Sequence, residues 1–387
     1  MHFFDRLQQY LYALVHNDRH SWRDQIILHI LEMLSWVYGF GVFFKLFLYK
    51  IGILHTFRLP CLVISLGNIT VGGTGKTPTA QKLAAIIRDM GYKVAILNRG
   101  YRAGWKEPVG TVSDGRNIYM TVSEAGDEAY LLAKNVPGAA VVIGKNRSLT
   151  SEFAFDKLKA DVLILDDGYQ HWPLHRDLDI VLIDAINMFG NHFLLPRGTL
   201  REPLTNLRRA DVFLLTRVDQ SAQGAKDNIS EVLRHYNTDA LIMESVHAPH
   251  CFMEIQEWYR RPRGKSLPLS EVANKKLLAF CALGNPSSFE QTIKDLGAAV
   301  VEGVRYPDHY NYTMIEMQSV MDLAVEKEVE AVITTEKDAV KIPTEFIYSD
   351  RPVPLYVLGI EVQMTSGEQE FMELVAKMTN EKRKFVL

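Results

Sequence analysis

The stretch "CLVISLGNITVGGTGKTPTA", residues 61–80, limits the folds open to this chain more than any other. An apolar run, a glycine-rich turn and a helix-forming segment in succession read as strand, tight loop and helix. That order points backbone N–H groups and the positive end of a helix dipole at one spot, which makes an anion site. Lys76 stands where it would reach the terminal phosphates of a nucleotide, and the Thr77 hydroxyl where it would bind Mg²⁺. Thr70, Val71, Gly72, Gly73, Thr74 and Gly75 complete the expected phosphate cradle. One position departs from the GxxxxGK[ST] pattern. Thr70 takes the place of its first glycine, while Gly72, Gly73 and Gly75 supply the freedom to turn.

Such a loop asks for an acid at the end of a neighbouring strand, and "DVLILDDGYQH" supplies Asp166 and Asp167 after four apolar residues. Adjacent side chains on a strand point to opposite faces, so one of the pair is placed for the metal and the other for the reaction centre or a second ion. ATP is the expected nucleotide. "TRVD", residues 216–219, is like the guanine-reading (N/T)KxD motif but carries Arg217 in place of the lysine, and Val71 replaces the signature lysine of KGGxGKT ATPases.

Around the loop, the runs "CLVISLG", "KVAILN", "AAVVIG", "DVLILDD", "DIVLID" and "DVFLLT" alternate with helical segments. The pattern predicts an α/β fold, a P-loop NTPase-like and mostly parallel sheet with helices on both faces. Residues 239–257 read as extended ribbon, and the proline-broken "RRPRGKSLPLS" as a linker. "KLLAFCALG", "AAVVEGVRY", "EAVITT" and "VPLYVLGIEV" open a smaller α/β series, closed by a charged helix near 367–384. The expected organisation is N-terminal helices over 1–58, a P-loop kinase domain over 59–236, an extended ribbon linker over 237–275 and a smaller α/β domain over 276–387.

The N-terminal region has its own signature. Phe3, Phe4, Leu7, Leu11 and Leu14 recur at helical spacing and predict an amphipathic helix. A second apolar stretch follows, with an uncharged core from Met33 to Phe44 that is shorter than the roughly 20 residues of a spanning helix. Trp36, Tyr38, Tyr49, Lys45 and Lys50 are residue types suited to a headgroup boundary. A helix docked on the protein's own core is the alternative. Asp5 and Arg6 inside the first apolar pattern argue against a cleaved signal peptide.

A formal net charge of −3 gives no electrostatic footprint for nucleic acid, which is not an expected partner. Cys61, Cys251 and Cys281 share no CxxC or metal-ligand spacing, the usage expected of a reduced compartment.

The series "GNITVGGTGKTP", "NRGY", "GDE", "DDGYQH", "LPRGTLREP", "GNPSSF", "YPDHY" and "TEKDAVK", in that order, resembles the tetraacyldisaccharide 4′-kinases of lipid A synthesis from about residue 30 to about residue 342. The resemblance implies transfer of the ATP γ-phosphate, with Mg²⁺, to the 4′-hydroxyl of a lipid A disaccharide 1-phosphate at the cytoplasmic face of the bacterial inner membrane. It also accounts for Thr70, because this family's loop tolerates a small hydroxyl residue there. It assigns the base to Asp127 of "GDE" and a partner that tunes it to His309 of "YPDHY". Read by itself, an aspartate before "EAYLLAK" is a helix N-cap, and a loop histidine bonds to backbone. Asn68, Arg99, Tyr101, Glu128, Gln170, His171, Arg201 and Glu202 are implied as substrate or transition-state support. Arg197 shares the loop of Arg201 and offers either a grip on the 1-phosphate or a solvated side chain. A membrane-bound acceptor makes an interfacial helix over 28–54 the preferred reading.

Two rival functions remain open at this stage. A P-loop ATPase switch or scaffold would turn over ATP without an acceptor and dimerise with it, and a glycine-rich module would hold some other anion. The sequence leaves acyl-chain preference and oligomeric state undetermined.

Overall fold

The structure, a computed structural model, describes Leu14 and residues 21–260, 264–307 and 310–384. The predicted helix over residues 3–14 lies, Leu14 apart, outside the described residues. The chain packs as two compact units, each assembled from segments distant in sequence: residues 1–76, 161–246 and 364–387 form the first, and residues 77–160 and 247–363 the second.

The first unit begins with helix α1, Trp22–Lys50, whose start is fixed by a capping box in which the Ser21 side chain and Asp24 satisfy each other's backbone N–H. Strands β1 (Leu62–Gly67), β5 (Val162–Asp166), β6 (Leu178–Asp184) and β7 (Val212–Thr216) follow, with the opening residues of β8 (Leu241–Glu254). Their order is β8-β7-β6-β1-β5, every pair parallel. Strands β1, β5, β6 and β7 are buried along their whole length, as a sheet covered on both faces requires. β1 lies between β5 and β6, so the strand order reverses there. Ligands of open α/β sheets bind at the carboxyl ends of such strands.

The second unit contains helix α2 (Lys76–Asp89), apart from its first residue, and the strands β2 (Val94–Asn98), β3 (Gly110–Ser113) and β4 (Ala140–Ile143). β2 and β4 are parallel, and β3 pairs antiparallel with β4. It also contains β9 (Lys276–Cys281), β10 (Ala299–Arg305), β11 (Ala331–Thr335) and most of β12 (Leu355–Ser366), in the parallel order β10-β9-β11-β12. Helix α3, Asp127–Asn135, and the short helix α4, Glu336–Ala339, contribute to one core in which Leu131 joins Trp258, Tyr312 and Ala339. Every apolar run singled out in the sequence is a strand, and the edge strand β3 is an addition. The closing helix spans Glu368–Lys384 and ties back into the first unit through Lys382, 2.8 Å from Asp177. Within the described part of "RRPRGKSLPLS", Leu267 pairs with Phe252 through two backbone hydrogen bonds.

Helix α1 is 29 residues long, roughly 43 Å at 1.5 Å per residue, and its orientation is unlike that of a core helix. It docks through a small and polar stripe. The Ser35 hydroxyl donates to Leu194 O at 2.8 Å and accepts from Arg197 N at 3.0 Å, and Tyr38 donates to Arg201 O at 2.9 Å. Gly39 permits the approach, since a Cβ there would lie 2.8 Å from Leu194 Cδ1. Met33, Trp36, Val37, Phe40, Phe43 and Phe44 face outward and are exposed. Burying each fully would contribute about 1.5–3 kcal/mol, so the face forgoes on the order of 10 kcal/mol.

Candidate active site

The phosphate loop is built from Asn68 outward. Asn68 is fully buried, donates through Nδ2 to Thr74 Oγ1 at 3.0 Å, and gives its main-chain oxygen to Gln170 Nε2 at 2.9 Å. Positive φ occurs at Gly72 (122°) and Gly75 (80°), the two places where the turn needs a residue without Cβ. Thr70 is not one of them. It lies in an antiparallel bridge with Leu200, between the bonds Arg201 N to Ile69 O (2.7 Å) and Val71 N to Thr199 O (2.7 Å). An extended residue has no need of glycine, so the departure at Thr70 carries no backbone cost. Added Cβ atoms at Gly72 and Gly73 would meet nothing within 4 Å, which leaves the loop open to a ligand. The Thr74 oxygen accepts from Thr216 Oγ1 at 3.3 Å, fixing the far side of the turn.

Lys76 is the first residue of α2, with Thr77 next and no acid in the first turn to offset the dipole. Its ammonium sits 3.5 Å from both Asn68 Oδ1 and Asp167 Oδ1, at the outer limit of a hydrogen bond, and is thus loosely held. Asp166 ends β5 and is buried. Asp167 follows at φ 57°, a left-handed conformation that turns its carboxylate toward Lys76 and Arg201. Arg201 Nη1 donates to both Asp167 oxygens, at 2.9 and 3.0 Å, and reaches Gln170 Oε1 at 3.5 Å. Burial alone would raise the Asp167 carboxyl, but the Lys76 and Arg201 charges outweigh it and hold it below the usual carboxylate range. Asn68, Lys76, Asp167, Gln170 and Arg201 therefore form one connected cluster beside the loop.

The second unit brings together a different group. "NRGY" is a turn at the end of β2, where Asn98 accepts from Gly100 N at 2.8 Å and Arg99 and Tyr101 are exposed. It packs on "GDE": a Cβ at Gly126 would lie 2.6 Å from Tyr101 O, and Gly104 N donates to Ser123 O at 2.8 Å. Gly126, at φ 82°, is the cap of α3. Asp127 is the first helical residue, and its Oδ1 accepts from Glu128 N at 3.0 Å. The cap position expected for Asp127 thus belongs to a residue without a side chain. Asp127, Leu131 and Asn135 are spaced four apart and share one face of α3.

The profile described as Tetraacyldisaccharide-1-P 4′-kinase matches residues 27–380. The chain belongs to this family. The tetraacyldisaccharide 4′-kinase of Halothermothrix orenii is 37% identical over 378 residues, covering 96% of this chain and 98% of that one. The corresponding enzyme of Syntrophus aciditrophicus is 39% identical over 356 residues, covering 90% and 92%. Among solved structures, LpxK from Aquifex aeolicus in complex with ATP superposes with a TM-score of 0.72 at 30% identity, over 91% of this chain and 99% of that one.

Other residues singled out in the sequence are placed differently. Glu202 stands apart from the Asp167 cluster, buried and accepting from Asn206 Nδ2 at 2.7 Å and Arg209 Nη1 at 2.6 Å, so it secures the base of its loop. Arg197 is half-buried rather than freely solvated, with its guanidinium carbon 4.5 Å from the Phe193 ring centroid. His171 continues the loop after Gln170 and lends its main-chain oxygen to Arg176. Arg217 pairs with Asp184 at the ends of β7 and β6. Asn285, the asparagine of "GNPSSF", caps the helix at Pro286–Asp295. His309 lies outside the described residues. Sequence reasoning missed Ser35, which belongs to no motif, and the role of Thr216, weighed only as the start of "TRVD"; both act on partners far away in sequence.

Proposed function

We propose that the chain performs the family's reaction as an ATP-dependent kinase, a phosphotransferase that phosphorylates the 4′-hydroxyl of a lipid A disaccharide 1-phosphate. Family membership across residues 27–380 carries the reading, and the open loop with a loosely held Lys76 supports it. In this reading the loop amides and Lys76 bind the β- and γ-phosphates of ATP. The 4′-oxygen attacks the γ-phosphorus, the bond to the β–γ bridging oxygen breaks, the hydroxyl proton passes to Asp127 and ADP leaves. The face shared by Asp127, Leu131 and Asn135 supports this role, because Leu131 joins the core of Tyr312, against which Tyr306 and Tyr310 pack. Those tyrosines flank His309 in sequence, the proposed partner of Asp127.

The oxygens of Thr77, Asp166 and Asp167 suit a hard divalent cation, and the depressed Asp167 pKa keeps that carboxylate charged for it. Mg²⁺ bound there would neutralise charge on the phosphates. Arg201 is placed to do the same as Asp167 exchanges partners. Asn68, Arg99, Tyr101, Glu128, Gln170 and His171 are proposed as supports, and the four-part domain order of the sequence as the functional organisation.

We place the chain on the cytoplasmic face of the bacterial inner membrane, held by α1 lying in the interface. Support comes from a helix of sufficient length and apolarity to enter a bilayer, with its apolar face outward. The testing experiment supplies purified protein with Mg·ATP and disaccharide 1-phosphate. A product heavier by one phosphate at the 4′-position supports the kinase; ATP turnover that ignores the acceptor would point to the switch.

A further inference from the structure

At the amino ends of β1 and β6, the end of the sheet away from the phosphate loop, the first unit holds a cavity of about 520 Å³ that the reaction just described does not use. The volume falls among those of small-ligand sites, roughly 300–1,000 Å³. Buried Leu59 and Leu62 with half-buried Met378 give it an apolar lining, and exposed Arg58 and Glu381 with half-buried His175 a polar one.

Most of the charge around this cavity is spent. Arg176 donates to both oxygens of Asp179, at 2.7 and 3.2 Å, and to His171 O at 2.6 Å. Asp177 accepts from Val63 N at 2.9 Å and lies 2.8 Å from the Lys382 ammonium. Burial, aided by the charges of Arg58, Lys382 and Arg176, outweighs Asp177 at 3.4 Å and holds the His175 imidazole below the usual histidine range, so it adds no charge near neutral pH. Arg58 and Glu381 are left. Among the described residues neither side chain has an ion pair or a hydrogen bond. The cavity thus offers one free cation and one free anion beside an apolar lining, which complements a phosphate with an amine a few bonds away and a hydrocarbon body.

The chain reaches this cavity from α1. Phe43, Phe44 and Phe47 lead along the helix to Ile51, Ile53 and Phe57, all exposed, and Arg58 is the next residue. The connection is fixed in place. Phe57 N donates to Pro173 O and His175 N to Phe57 O, both at 2.8 Å, and Thr56 Oγ1 donates to Trp172 O at 3.3 Å. The Tyr49 and Trp172 rings lie 5.9 Å apart. Phe57 and Leu174 are bridge partners, so Arg58 and His175, the residues that follow them, enter the lining together. An apolar strip that ends at a cation and a carboxylate is matched by acyl chains that end at a zwitterionic headgroup.

We propose that this cavity binds the headgroup of a zwitterionic phospholipid whose amine carries N–H groups, with its phosphate on Arg58 and its ammonium on Glu381, so that the first unit grips one membrane lipid at the end of the sheet opposite to the phosphate loop. The inference rests on the placement of α1 in the interface.

The test co-sediments the full chain and its Arg58→Gln and Glu381→Gln variants with phosphatidylcholine vesicles, pure or partly replaced by phosphatidylethanolamine or phosphatidylglycerol. Both side chains are exposed and unpaired, so the variants should melt with the parent. The parent should bind the phosphatidylethanolamine mixture about tenfold more tightly than phosphatidylcholine, whose amine has no N–H, and each variant should lose that margin. Glu381→Gln separates recognition from general charge. Losing a carboxylate should strengthen binding to anionic phosphatidylglycerol, whereas the cavity requires the same change to weaken binding to phosphatidylethanolamine. Equal margins in parent and variants would overturn the proposal, because looser headgroup packing would then account for the preference. Binding of free phosphoethanolamine as tight as that of the lipid would overturn it too, by making the occupant a soluble compound. If the parent sedimented with no vesicle, the placement of α1 would fall and the proposal with it; firm binding of the parent to all three mixtures with no margin for phosphatidylethanolamine would defeat the cavity alone.

Discussion

The phosphate loop of the first unit and the Asp127 helix of the second solve the problem of position in different ways. The loop is held mainly by backbone: Ile69 O, Val71 N and Thr74 O all have partners, and the glycines at 72 and 75 set the turn. Its reactive cation is loosely kept, 3.5 Å from two alternative oxygens. The Asp127 helix is held by side chains, through Asn135, Lys134 and Leu131 against residues more than a hundred positions away in sequence. An anion site needs many N–H groups and one mobile charge, which a local turn provides. A base needs one carboxylate aimed within a fraction of an ångström, which calls for packing.

The contrast is broken most severely at Lys76. Lys76→Ala should slow phosphorylation by on the order of a thousandfold and weaken ATP binding, with the fold retained, since the ammonium's contacts to Asn68 and Asp167 are both long. Near-normal rates measured with saturating Mg·ATP would take the loop out of the mechanism.

A smaller effect is expected at α1. Placing aspartates at Phe40 and Phe43 should lower partition onto anionic vesicles by about a hundredfold while nucleotide binding continues, because two large apolar side chains are lost from the inserted face. Equal co-sedimentation of the variant would show that the face binds something other than lipid.

The smallest effect concerns Asp167. Its folded pKa is depressed, so the stability it contributes is fully present above the unfolded carboxylate value of about 3.9 and is lost as pH falls through the lower folded value. The melting-temperature gap between parent and Asp167→Asn should be steady from pH 7 to about 5 and close below about 4. A gap that widened at low pH would mean the Lys76 and Arg201 pairs do not stabilise the carboxylate.

Legibility followed the same division. The strands, the phosphate loop and the acid pair were readable because each is a local pattern of apolar runs, glycines and charge. Thr70 looked like a defect only because a motif records residue types and not φ. Asp127 read as a cap because the sequence does not show that Gly126 takes that place. The orientation of α1 was undecidable for a related reason: its apolar stripe suits a core or a bilayer equally, and Ser35 reveals the docked face only once Leu194 is beside it.

The central claim is that gripping the phosphate and accepting the proton are separate tasks. Measuring ATP affinity and single-turnover phosphorylation on the same Asp127→Ala protein tests it most directly. The account expects affinity within about twofold of the parent and a rate lower by about a hundredfold to ten-thousandfold. A rate close to the parent's, or affinity and rate falling together, would contradict it.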